Sequence, residues 1–479
     1  MQTLDVDVAI LGTGTAGLSA YRAAVAQGKR ALLIEGGPYG TTCARVGCMP
    51  SKLLIAAADA AHTMEIAPGF GVHAGQRRID GKAVMARVQR ERDRFVGFVL
   101  ESVEGIPEQD KLRGYARFTG PRTLQVDDHS IVKATRFVIA TGSTPVKLPS
   151  LAAGGAAVIS SDDIFELPDL PASMAVIGTG VIGLELGQAM ARLGVRVTFY
   201  ARGGSIGQIT DPDVLHVATR TFGAELDIRF QQRIVSVVPR AEGGVDFTTH
   251  DAAGVQQTDA FDLILVAAGR TPNVKNIGLE HTGLMLDAAG IPLYDRCTMQ
   301  CGDSHIFIAG DADDERPLLS EAADQGRIAG DNAGRFPDVR PGLRRTALTI
   351  AFTEPQIATV GESYRTLAAG RSKFALGMVS FENQGRSRVM LQNHGILRVY
   401  GEYGSGRFLG AEMLGPRAEH IGHLLAWACQ ARMTVDQMLE MPFYHPVIEE
   451  GLRTALRDLH TELAKGAPDI AAPSVAAGG

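Results

Sequence analysis

The chain reads as α/β: two dinucleotide-binding units of the Rossmann type, followed by a smaller α+β unit. Three observations predict this. Two segments share the order apolar strand, glycine turn, helix. Each leads through short alternating strands to a buried strand that ends in a second glycine turn. Beyond about residue 345 this pattern gives way to strands and helices without a phosphate loop.

The first unit opens VDVAILGTGTAGLSAYRAAVAQG, where Gly12, Gly14 and Gly17 spell GxGxxG; the second opens MAVIGTGVIGLELGQAMARLG, with Gly178, Gly180 and Gly183. One such match is weak in a glycine-rich chain, but two, each between an apolar run and a helix-period segment, are a strong signal. The first glycine allows the tight turn, the second lets backbone approach a pyrophosphate, and the third lets helix pack on strand. Free N–H groups at the helix N-terminus then meet the phosphate. Two units therefore imply two dinucleotides.

The repeat continues through GYARFTGPRTLQV to RFVIATGSTP, with Thr141 and Gly142, and through IVSVVPRAEGGVDFTT to DLILVAAGRTP, with Gly269. A third buried strand, HIFIAGDAD, brings Asp311 to a strand's C-terminal end, where open α/β sheets bind ligands. The expected divisions are residues 1–150 for the first nucleotide unit, 151–272 for the second, 273–345 for a segment completing the first, and 346–465 for the α+β unit. The closing GAPDIAAPSVAAGG, 466–479, has too little to bury and is expected to be disordered.

The acidic residue expected roughly 20 positions after the glycines, where it can bind ribose hydroxyls, is Glu35 in the first unit. The equivalent position after Gly183 is Ala201, followed at once by Arg202. A carboxylate there would repel a 2′-phosphate and an arginine can pair with one, so the second site leans to NADPH over NADH.

At 479 residues the chain is too long for one core and suggests roughly three domains. Its 47 basic and 53 acidic side chains leave a net charge of −6, which gives no electrostatic reason to expect nucleic acid or an anionic membrane as partner. The opening MQTLDVDVAILG lacks a basic n-region, and no apolar stretch is long enough to span a bilayer, so a cytoplasmic protein is expected. Five cysteines without a secretion signal do not make a structural disulfide framework.

Two of those cysteines, Cys43 and Cys48, lie in GTTCARVGCMPSK, just past Glu35. Ideal helix geometry holds residues five apart slightly beyond the roughly 4.4–6.8 Å between bridged Cα atoms, and a turn loosened at Gly47 would bring them in. So short a loop constrains little of the unfolded chain, about 2 kcal/mol, which points to redox use over stapling. A helix N-terminus also favours the thiolate. No histidine or second cysteine pair stands at ligand spacing, so no metal is expected. Cys297, Cys301 and Cys429 read as core or near-surface residues.

These residues resemble the pyridine nucleotide-disulfide oxidoreductases over the whole chain except the tail, and within them the dihydrolipoamide dehydrogenases most. The marks are C-x4-C followed by Pro50-Ser51-Lys52, ATGS at 140–143, AAGRTPN at 267–273, AGD at 309–311, FTEPQIATVG at 352–361 and YHPVIEE at 444–450. The resemblance implies FAD in the first unit, held by Glu35, Lys52, Gly142 and Asp311, and Glu185 beside the nicotinamide in the second. It makes Cys48 the flavin-proximal thiol and Cys43 the thiol that exchanges with substrate. It also implies a C-terminal dimerisation domain and a homodimer with a shared active site, in which His445 enters the other subunit's site as general acid/base, oriented by Glu450.

The resemblance implies a small dithiol or disulfide as substrate, a lipoyl group first. An NADPH-dependent reductase of another small disulfide, such as glutathione, is the alternative, because Ala201-Arg202 departs from the carboxylate of an NAD-linked lipoamide enzyme. Gly40-Thr41 likewise stands where the family usually has two glycines. A mercuric reductase would want cysteines near the C-terminus, and none follows Cys429; the ending SVAAGG offers no redox-active tail of the thioredoxin reductase kind. A soluble transhydrogenase would have lost one cysteine of the pair. A non-catalytic flavoprotein subunit has no need of the intact cysteines, histidine and glutamate.

Overall fold

The computed structural model describes residues 1–467, apart from 74, 76, 371 and 372. Most of the expected tail lies outside the described residues.

The apolar run at the start forms the strand Gln2–Leu11, fully buried over its last four residues, at the centre of a seven-stranded sheet. It pairs in parallel with Ala31–Glu35 on one side and Ser130–Ile139 on the other. The alternating segment after it becomes the antiparallel pair Ala116–Gly120 and Thr123–Val126, which joins the sheet through Ser130–Ile139. Ile306–Ile308 returns to the same sheet, parallel to Ser130–Ile139, and so carries the chain to Asp311 beside the first glycine turn. The helix Leu319–Arg335 lies against α1 (Thr15–Ala26) because Gly326 and Gly330 lack side chains: a Cβ there would meet the oxygens of Ala16 and Ala20 at 2.2 and 2.1 Å.

A second sheet of five parallel strands runs Asp227–Arg229, Arg196–Tyr200, Ser173–Ile177, Leu263–Val266, Val158–Ser160, and an antiparallel sheet of Arg233–Pro239, Val245–His250 and Gln256–Phe261 packs beside it. A two-stranded ribbon, Ser143–Pro145 against Arg270–Pro272, links the two nucleotide-type units. From Leu348 on, five antiparallel strands are backed by the helices Ala418–Gln430 and Glu449–Ala464, which meets the expectation of an α+β unit.

One long element was not foreseen: the helix Gly81–Glu104, capped by Asp80, whose side chain accepts from Ala83 N. Its sequence, GKAVMARVQRERDRFVGFVLESVE, carries charges on most turns and buries only Met85, Val88, Arg92 and Val103. That narrow apolar stripe is an inconspicuous signal.

Candidate functional site

The two glycine turns are built alike. At Gly12 (φ +108°) an added Cβ would lie 2.3 Å from Ala140 O, and at Gly17 it would lie 2.0 Å from Gly12 O. Gly178 (φ +112°) and Gly183 are closed off in the same way, by Ala267 O at 2.5 Å and Gly178 O at 2.3 Å. Gly14 and Gly180, the N-caps of the following helices, meet nothing within 4 Å. The outer glycines are thus fixed by packing, and the middle ones face the open space that a pyrophosphate needs.

Around the first turn, Glu35 accepts from Thr13 N and Thr13 Oγ1, both at 2.8 Å, and from Gly37 N at 2.8 Å. Thr141 Oγ1 is buried without a partner, and Gly142 (φ +68°) has open space before it. Asp311 accepts from Ser143 Oγ at 2.7 Å, which leaves its other oxygen free for a ligand. Around the second turn, Gly269 (φ +109°) is open in the same manner. Ala201 is buried, and the neighbouring Arg202 is exposed with no ion pair among the described residues.

The cysteines sit on two helices. Cys43 is in α2 (Thr42–Val46), Gly47 breaks the path at φ −128°, ψ −114°, and Cys48 is the first residue of α3 (Cys48–Ile66). Gly47 thus interrupts the helical path between the two cysteines, which are free thiols in this structure. The neighbouring Cys43 thiol, with the charge of Lys52, pulls the Cys48 thiol down to about 7 against the opposing effect of burial. The same proximity, with burial, pushes the Cys43 thiol up. The two thiols are thus pushed in opposite directions, Cys48 toward the thiolate and Cys43 toward the thiol.

Lys52 and Glu185, expected on different nucleotides, are brought together. Lys52 Nζ lies 2.7 Å from Glu185 Oε2 and 4.6 Å from the centre of the Phe352 ring. Glu185, on the helix Val181–Arg192, is only 4% exposed, and its other oxygen accepts from Phe352 N at 2.8 Å. The Lys52 cation is thus held by two distant parts of the chain, at Glu185 and at Phe352.

Two cavities meet at the cysteines. The first, of about 380 Å³, is lined by Gly14, Cys43, Cys48, Lys52, Glu185 and Asp311 among others. The second, of about 420 Å³, is lined by Thr15, Arg22, Cys43, Met49, Phe95 and Phe98 among others. Cys43 borders both, and Cys48 borders the first alone. The aromatic side of the second cavity comes from the unforeseen helix Gly81–Glu104, where Phe95 and Phe98 meet edge to face at 6.3 Å.

His445 lines neither cavity and is 81% exposed on its own chain. Its Nδ1 lies 3.0 Å from Glu450 Oε2, and Glu450 also accepts from Val447 N and Arg453. The hydrogen bond from His445 holds the Glu450 carboxyl below the usual range. Cys301 is buried, Cys297 exposed and Cys429 half-buried, and none of them lines either cavity. Among the described residues no group of histidine, cysteine and carboxylate side chains could hold a metal, and no helix is long and apolar enough to cross a membrane.

Residues 6–326 match the family described as pyridine nucleotide-disulphide oxidoreductase, and residues 348–456 match its dimerisation domain. The chain belongs to this family. Members are FAD-dependent and use NAD(P)H, and the two open glycine cradles, the unpartnered Thr141 hydroxyl and the free Asp311 oxygen fit those groups. The mercuric reductase of Shigella flexneri is 32% identical over 466 residues, covering 95% of this chain and 81% of its own. The dihydrolipoyl dehydrogenase of Bacillus subtilis is 28% identical over 463 residues, covering 94% and 97%. Among solved structures, LpdA from Mycobacterium tuberculosis superposes with a TM-score of 0.80 at 26% identity, covering 95% of this chain and 99% of its own. The flavoprotein disulfide reductase RclA from Escherichia coli shares the fold, with a TM-score of 0.79 at 21% identity and the same coverage. Mercuric reductases and dihydrolipoyl dehydrogenases match to a similar degree, so what these likenesses carry is the family, a flavoprotein oxidoreductase of sulfur groups.

Ser143, Arg270, Thr13 and Phe352 were given no role in the sequence. Ser143, Arg270 and Phe352 stand inside the quoted motifs ATGS, AAGRTPN and FTEPQIATVG, which was the available signal.

Proposed function

We propose that this chain exchanges electrons between NAD(P)H and a small dithiol or disulfide through Cys43 and Cys48. On this reading it works as a homodimer with shared sites, and a lipoyl group is its first candidate substrate. Residues 1–150 with 273–345 hold FAD, 151–272 hold the nicotinamide coenzyme, and 346–465 pair two copies. The observation that carries the reading is the placement of the sulfurs: Cys43 borders both cavities, and Cys48 only the one shared with the glycine cradle, Lys52 and Glu185. Such a pair can pass electrons from one compartment to the other without the two ligands meeting.

In the oxidised state a substrate thiolate attacks Cys43 Sγ of the Cys43–Cys48 disulfide, and Cys48 leaves as thiolate, favoured by its lowered pKa. The substrate's second thiolate then attacks its own sulfur in the mixed disulfide and displaces Cys43, which leaves both cysteines reduced. FAD, when bound, relays the two electrons between this sulfur pair and the nicotinamide. His445, delivered from a second copy of the chain, takes the thiol proton at Nε2 while Nδ1–H donates to Glu450. In the reductase direction each step reverses.

The apolar wall of Met49, Phe95 and Phe98 supports a substrate with a hydrocarbon stem, and exposed Arg202 supports NADPH. A second reading, reduction of an anionic disulfide such as glutathione disulfide, is favoured by Arg22, which borders the second cavity and among the described residues bonds only the Ser102 hydroxyl, at 3.0 Å. The deciding experiment is a two-by-two assay of NADH and NADPH against lipoamide and glutathione disulfide. Turnover of lipoamide at least tenfold faster supports the first reading, and the reverse ratio replaces it with the second.

A further inference from the structure

Arg270 has no part in the chemistry above, yet it is largely buried, with its side chain 15% exposed, and three of its N–H groups are committed. Nε donates to Ser143 Oγ at 2.8 Å, Nη2 to Ser143 O at 2.8 Å, and Nη1 to Asp162 Oδ1 at 2.9 Å. Ser143 Oγ in turn donates to Asp311 Oδ2 at 2.7 Å. The directions are forced by chemistry. A guanidinium has donors and no acceptor, so Ser143 Oγ must accept from it, and the single hydroxyl proton is left for Asp311. Freed from Arg270, a serine hydroxyl would rotate among several acceptors.

We propose that Arg270 is a positioning residue for the flavin: it orients the Ser143 hydroxyl, which fixes the Asp311 carboxylate with one oxygen occupied and the other turned to a ligand hydroxyl. Both Arg270 and Asp311 border the first cavity, beside Gly14 and Gly142. The hydroxyls that FAD offers away from its adenosine ribose are those of its ribityl chain, the chemistry an anchored carboxylate accepts. Ser143 and Arg270 stand on the two opposed strands of the ribbon, Asp162 follows the second sheet's Val158–Ser160, and Asp311 follows the first sheet's Ile306–Ile308. The relay thus crosses between the two nucleotide units. It rests on the reading of Asp311 as a flavin ligand.

The test is retention of FAD by the full-length holoprotein, followed as free-flavin fluorescence on dilution, for Ser143→Ala, Ser143→Thr, Arg270→Lys, the Ser143→Ala/Arg270→Lys pair and Asp311→Asn. Ser143→Ala and Arg270→Lys should each weaken FAD binding about tenfold, the loss of one charge-assisted contact in series. The pair should be no worse than either alone, and Ser143→Thr, which keeps the hydroxyl, should hold FAD as the parent does. Multiplying losses in the pair, or parental retention in Ser143→Ala, would overturn the relay even where Asp311→Asn releases FAD. Parental retention in Asp311→Asn would remove the flavin-ligand reading and the relay with it.

Discussion

Lys52 Nζ sits 2.7 Å from Glu185 Oε2, so a cation four residues beyond Cys48 is fastened to a nearly buried carboxylate on the second nucleotide unit's first helix. That pairing fixes a positive charge beside the sulfur that must leave as an anion.

Cys48 is lowered to about 7, so its thiolate dominates above pH 7 and is lost as pH falls below it. Lys52→Met should move the midpoint for alkylation of the reduced protein upward, toward the ordinary thiol value of about 8.5. An unchanged midpoint would deny Lys52 this role.

Cys48→Ala should abolish disulfide turnover and leave electron transfer from NAD(P)H to an artificial dye. The dye reaction needs the coenzyme and the flavin but no sulfur. Surviving disulfide turnover would remove the mechanism.

His445→Ala should slow thiol exchange by about 10²–10⁴-fold, the usual contribution of a general acid/base, with flavin reduction by coenzyme little changed. The exposure of His445 on its own chain makes a sharper test possible. Mixed dimers of Cys48→Ala and His445→Ala chains contain one intact site if the histidine acts across subunits, and none if it acts within its own. Activity recovered on mixing, from two inactive parents, is the expected outcome.

Arg202→Glu should raise KM for NADPH roughly tenfold or more and improve NADH, because a carboxylate would now face the ribose in place of a phosphate-pairing cation. Steady-state kinetics with the two coenzymes checks it. Equal effects on both would assign Arg202 to the solvated surface.

What could be read from residues alone was what depends on local pattern. The glycine turns follow strict spacing, and the structure gives each glycine the separate geometric duty that spacing implies: Gly12 and Gly17 packed, Gly14 open. The interruption between Cys43 and Cys48 was legible in Gly47, which leaves the helical path between them. The joining of Lys52 to Glu185 was hidden, since it spans 133 positions and each side chain alone looked committed to a different nucleotide. Arg270 and Ser143 were legible only as letters in motifs; their link exists because a two-stranded ribbon brings distant segments into register. The helix Gly81–Glu104 went unseen because its buried stripe is narrow, and with it went the aromatic wall beside Cys43.

In the proposed function Cys43 and Cys48 form the sulfur bridge through which electrons leave the flavin. It is tested most directly by adding one equivalent of NADPH to the oxidised holoprotein under anaerobic conditions, then trapping thiols and mapping them by mass spectrometry. The expected result is a linked Cys43–Cys48 peptide before addition and two newly labelled thiols at these positions after it. Labelling of both cysteines before any reductant, or a bridge that survives the equivalent of NADPH, would contradict it.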